Sequence, residues 1–199
     1  MRAYRYPSRP HSRKHGPRGY HAAAEFRPWL RDEFSFRCVY CLEREQWVNN
    51  IGHFHSEHFL PVVCRPNLEL VYDNLLYACH ACNSLKAALL VPDPLEAMRS
   101  TTVIVARDGS IRGRTKRAKR VIDLLQLDDP SYRRRRRLIL EIVETARKYN
   151  RSLYVELMGF PEDLPDLARL QPPTGNSRPD GVKKSYYTLR ANKRLSKTY

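Results

Sequence analysis

Two Cys-x-x-Cys pairs, Cys38 with Cys41 and Cys79 with Cys82, stand on either side of 37 intervening residues. Each pair presents two sulfurs to one ion, so together they read as a tetrahedral thiolate site that pins two distant turns of chain to each other. The segment after Met1 runs into Arg and Pro rather than an apolar stretch, and no apolar run approaches the roughly 18 residues of a membrane span. The chain is therefore expected to be cytoplasmic with no membrane partner, its paired cysteines binding metal rather than forming disulfides. Cys64 is left over and reads as a small buried hydrophobe.

Charge divides the chain. Its 36 Lys and Arg exceed its 21 Asp and Glu by 15, and the excess is clustered. Residues 1–21 carry six bases and no acid, residues 112–120 carry six more, residues 133–137 are five consecutive Arg, and residues 178–199 set seven bases against Asp180. Residues 25–105 reverse the balance, with ten acids and seven bases. A mildly acidic centre between basic flanks suits a cation site whose surroundings hold a phosphate chain. Four parts follow: residues 1–24 a basic flexible arm, 25–100 the metal-stapled module, 101–160 a hairpin plus two-helix extension, and 161–199 a Pro-rich linker and basic tail.

Local patterns supply the elements. Residues 26–34 fit a short helix with Pro28 in its first turn. Residues 48–59 read as extended, and Leu75-Leu76-Tyr77-Ala78 as a second strand entering the second cysteine pair. The residues after Ala81 favour a helix stopped by Pro92 and Pro94. Residues 102–106 lead into an Asp108-Gly109 hairpin turn. Asp129-Pro130 opens a helix whose expected buried face is Leu138, Ile139, Ile142, Val143, Ala146 and Tyr149.

Between and within the cysteine pairs lie Glu57-His58-Phe59-Leu60-Pro61, Asp73-Asn74-Leu75 and Cys79-His80-Ala81-Cys82-Asn83-Ser84-Leu85-Lys86. This ordered set resembles the HNH endonucleases, over about residues 36–95. The resemblance implies an α+β fold: a small ββα-metal HNH core with a four-cysteine zinc knuckle, followed here by a helical C-terminal extension and with basic flexible termini. The phrase Glu-His-Phe-x-Pro with Asn-Leu-Leu-Tyr-Ala-Cys further resembles bacterial HNH proteins, including some that accompany an ATPase subunit in anti-phage defence.

Phosphodiester hydrolysis needs a deprotonated water and neutralisation of developing charge. His58, an imidazole, suits the general base. Glu57 and Asn83 offer hard oxygen ligands for catalytic Mg²⁺ or Mn²⁺. By resemblance Asn74 is the middle Asn, bonding the connecting loop and so orienting His58. Cys38, Cys41, Cys79 and Cys82 would hold structural zinc. On a regular strand Glu57 shares a face with His53 and His55 while His58 takes the other. A bulge must therefore bring Glu57 and His58 together, or an earlier histidine is the ligand; the bulge is the expectation. His80 reads as an exposed knuckle residue, and Lys86 as either a phosphate contact or a surface lysine. Arg133, Arg134 and Arg137, with Lys183 and Lys184 beside Tyr186 and Tyr187, are expected to grip nucleic acid, DNA first with RNA still open. The expected activity is metal-dependent endonuclease cleavage of DNA. The alternatives are a non-catalytic zinc-ribbon nucleic-acid binder and a defence nuclease subunit active only with its partner.

Overall fold

The computed structural model describes residues 3–48 and 53–199. The 49–52 part of the strand expected over 48–59 lies outside the described residues. The fold is α+β. A short helix α1 (Arg27–Glu33), with Pro in its first turn, precedes an antiparallel hairpin of β1 (Phe54–His58) and β2 (Leu75–Cys79), which leads directly into α2 (His80–Lys86). All five residues of β2 are buried, because both α1 and α2 pack on the hairpin. Phe54 and Tyr77 stack with ring centroids 4.9 Å apart, and Trp29, Leu30 and Leu75 fill the same core. A strand covered on both faces needs no polar alternation.

Helix α2 ends earlier than its downstream prolines require. Ala87 takes φ 41° and ψ −119°, and Leu89 N–H donates to the Lys86 carbonyl at 2.7 Å, so a tight turn stops the helix. After α3 (Pro94–Ala97), a second hairpin pairs β3 (Val103–Val105) with β4 (Ile111–Gly113). Next come α4 (Lys116–Leu124), α5 (Pro130–Tyr149), α6 (Arg151–Met158), α7 (Asp180–Lys183) and α8 (Tyr186–Ala191).

Helix α5 buries a different face from the one expected. Arg136, Leu140, Val143 and Ala146 point inward, while Leu138, Ile142 and Tyr149 are exposed. The turn of the second hairpin decides this. Arg136 Nε donates to the Gly109 carbonyl at 2.6 Å, and a Cβ on Gly109 would lie 2.1 Å from the Arg133 carbonyl. The hairpin turn thus sits against α5 and fixes its rotation.

Described residues of both basic termini pack against the core. Ala3, Tyr4 and Tyr6 join the core, and Tyr6 Oη donates to the Tyr40 carbonyl at 2.6 Å. Both acids ending α1 are buried and draw in the flanking segments. Asp32 accepts from Lys14 Nζ (3.1 Å), bonds His15 Nε2 (2.8 Å) and accepts from the Tyr186 amide (2.7 Å). Glu33 bonds His11 Nε2 (2.6 Å) and accepts from Tyr72 Oη (3.1 Å). Arg178 pairs with Asp73 at 2.8 Å, and Tyr199 stacks on Phe160 at 4.3 Å. Composition alone reads these Arg- and His-rich stretches as solvated; the buried carboxylates reverse that.

Candidate metal centre

Cys38 and Cys41 lie on a turn closed by Cys38 N–H to the Glu43 carbonyl (2.8 Å) and Leu42 N–H to the Cys38 carbonyl (3.0 Å). Val39 N–H donates to the Tyr77 carbonyl at 2.9 Å, docking the turn along β2. Cys79 ends β2 and Cys82 lies in the first turn of α2. All four sulfurs are buried and within 4.8 Å of one another. Cys41 and Cys79 Sγ are 3.6 Å apart, near the roughly 3.8 Å edge of a tetrahedron with Zn–S of about 2.3 Å. That spacing is far beyond the ~2.05 Å of a disulfide, and the thiols are free. Hydrogen bonds from the neighbouring thiols hold Cys79 well below the ordinary thiol range, while the same sharing and burial push Cys41 and Cys82 up. Four thiols crowded this closely could hold a metal ion such as zinc. Cys64 is exposed rather than buried, because it sits on the turn after Pro61.

Strand β1 pairs residue for residue with β2, Glu57 opposite Leu76 and His58 opposite Leu75. There is no bulge, so Glu57 and His58 leave opposite faces. Glu57 is buried, one carboxylate oxygen 2.5 Å from Lys86 Nζ and the other accepting from Tyr40 Oη at 2.8 Å. Burial pushes its carboxyl up against the opposing pull of Lys86. Lys86 is neither a phosphate contact nor a surface lysine: it is fully buried, and Nζ also donates to the His58 carbonyl at 2.7 Å.

His58 is half-buried, with Nε2 3.0 Å from the Glu69 carbonyl. A carbonyl only accepts, so this bond assigns the proton to Nε2 and leaves Nδ1 as the ring's acceptor. Asn74, buried, clamps the loop that carries Glu69. Its Nδ2 donates to the Leu60 and Leu68 carbonyls (3.1 and 3.2 Å), and its Oδ1 accepts from the Leu60 amide (2.9 Å). Asn83 is half-buried on α2, one turn before Lys86. On the face of β1 that carries Glu57, His55 Nε2 lies 3.2 Å from Nδ1 of exposed His80. Burial, with His80 and Arg27 nearby, lowers the His55 pKa. His53 is exposed.

The expected gripping residues are unequal. Arg133 is tied to Asp128 and Lys183 to Asp180, whereas Arg134 and Lys184 are exposed and Arg137, also exposed, lies 3.9 Å from Glu141. Tyr186 is engaged internally, its hydroxyl 2.6 Å from Ser35 Oγ and its ring packed on Phe160. Tyr40 and Lys86 as partners of Glu57 escaped the sequence reading; the one available hint was a tyrosine inside the first cysteine pair. Set against family models, curated proteins and solved structures, the chain finds no match in any of the three.

Proposed function

We propose that this chain is an HNH-type endonuclease that hydrolyses phosphodiester bonds in DNA, with His58 as general base. The hydrogen bond from His58 Nε2 to the Glu69 carbonyl carries the reading. It leaves Nδ1 free to take a proton from water, and the carbonyl then stabilises the imidazolium that results. Asn74 serves as a positioning residue, since it holds the carbonyl of Leu68, immediately before Glu69. Lys86 positions the same imidazole from the other side, through the His58 main-chain oxygen. Exposed Arg134, Arg137 and Lys184 would meet the phosphate chain.

Catalytic Mg²⁺ or Mn²⁺ held by Glu57 and Asn83 does not fit this arrangement, because Lys86 and Tyr40 take both Glu57 oxygens. The same lock favours the rival reading, a zinc-stabilised nucleic-acid binder without catalysis. The exposed Leu138, Ile142 and Tyr149 on α5 favour a third, a nuclease subunit that needs a protein partner such as an ATPase.

One assay separates them. Purified protein is incubated with plasmid, linear duplex, single-stranded DNA or RNA, with and without Mg²⁺ or Mn²⁺, beside His58→Ala. Cleavage of DNA by the wild type, lost in His58→Ala with affinity retained, is the expected result. Binding without cleavage under every condition refutes the free-standing nuclease, and cleavage unchanged in His58→Ala refutes the base.

A further inference from the structure

The two imidazoles facing each other across β1 and α2 have no part in the reading above. His55 Nε2 and His80 Nδ1 are 3.2 Å apart, with ring centroids 5.4 Å apart and planes inclined at 48°. Two imidazole nitrogens bound to one tetrahedral ion at about 2.0–2.1 Å are themselves separated by roughly 3.3 Å. The pair therefore already stands at the spacing of shared coordination. Its placement is fixed by the fold on both sides. His55 lies inside the regular β1–β2 ladder, opposite Ala78, and His80 lies between Cys79 and Cys82, whose sulfurs converge in the buried cluster. A ligand pair held by rigid elements loses little freedom on binding. Both rings reach the surface, so an ion and its waters have access, and Ser84 Oγ stands 3.5 Å from His80 Nε2.

We infer that His55 Nε2 and His80 Nδ1 form a second, solvent-facing metal site for a borderline divalent ion of the zinc and nickel class. Imidazole pairs suit such ions, whereas Mg²⁺ prefers oxygen ligands. Two neutral ligands near the Arg27 charge make this a weaker site than four thiolates, filled after the cysteine cluster. The site is independent of phosphodiester hydrolysis, and it bridges the hairpin to α2 from the outside.

The test uses the full chain, loaded with zinc and dialysed, then titrated with Ni²⁺ by calorimetry, with retained zinc measured in parallel. The variants are His55→Ala and His80→Ala, with His21→Ala, an exposed histidine elsewhere, as control. The expected result is one Ni²⁺ per chain in the wild type and in His21→Ala with the zinc retained. Affinity should fall in each of the other two by at least the roughly 10–100-fold that losing even an outer partner of a metal ligand costs. Retained zinc in those two shows that the module is folded. No Ni²⁺ uptake by the wild type, or uptake that survives either substitution, overturns the site; in that case the 3.2 Å contact is a simple N–H···N hydrogen bond.

Discussion

Replacing Lys86 with Met tests the buried Lys86–Glu57 charge pair. The ammonium is fully buried and touches Glu57 at 2.5 Å and the His58 carbonyl at 2.7 Å, while Glu57 itself is 3% exposed. Met fills nearly the same volume, so packing changes little. What remains is a buried carboxylate with only the Tyr40 hydroxyl, plus an unpaired carbonyl. Breaking such a pair from one side costs roughly 3–5 kcal/mol, which for a chain of this size lowers Tm by on the order of 10 °C.

The cost must depend on pH. Without Lys86 the Glu57 carboxyl, already pushed up by burial, rises further above its unfolded value. The folded state then binds more protons than the unfolded one, and stability falls as pH rises through that range. Lys86→Met should accordingly regain much of its loss on acidification towards pH 5. The double variant Glu57→Gln with Lys86→Met should be more stable than the sum of its singles by about 2 kcal/mol or more. Urea denaturation of the metal-loaded chains at several pH values reads all of these. A Lys86→Met variant within about 1 kcal/mol of wild type at neutral pH, or strict additivity in the double, refutes the lock.

Cys79→Ser should lose the bound metal and unfold the β1–β2–α2 unit, because four thiolates supply folding energy that so small a core lacks; elemental analysis and circular dichroism check both. Glu33 offers a second acid-range test. Burial is the largest single influence and raises its carboxyl, but the His11 and Lys14 hydrogen bonds outweigh it and hold the group at about 2 against 4.5. The sign follows from a depressed acid: its contribution, up to about 3 kcal/mol, is present above pH 4.5 and fades as pH falls towards 2, so Glu33→Gln should flatten the stability profile there. An unchanged slope would count against this assignment. Ala87→Gly should raise stability by about 0.5–1 kcal/mol, since φ 41° with ψ −119° is glycine's territory; a lowered urea midpoint would contradict it.

What the sequence disclosed is what neighbouring residues decide among themselves. Asp129 caps α5, accepting from the Ser131 amide at 2.9 Å, and Gly109 takes φ 82° in the second hairpin; both follow from local turn and cap chemistry. The cysteine pairs were legible because one ion demands four sulfurs. The buried side of α5 was not, because it depends on a carbonyl 27 positions before Arg136. Nor was the packing of the basic ends: an Arg- and His-rich stretch reads as solvated until Asp32 and Glu33 are known to be buried. The candidate site divides in the same way. Asn74 and the Glu69 carbonyl lie on the loop that returns to His58, but the capture of Glu57 by Lys86 joins a strand to the far end of a helix.

The partners of Asp32 also set an order of events during synthesis. A chain made from its N-terminus has presented all four clustered cysteines by residue 82, so the thiolate module can close while the rest is still unmade. Asp32 must wait for the Tyr186 amide, 154 positions later, and Gly16 for Asn176, 160 positions later. Until those residues emerge, the Asp32 carboxylate stays only partly satisfied, and the cost of closing so long a loop is still to be met. Ribosome-stalled chains ending before residue 175 should therefore hold metal yet remain open to proteases around residues 16–20, where Arg18 N–H awaits the Gly175 carbonyl, and release of the longer chain should close that segment.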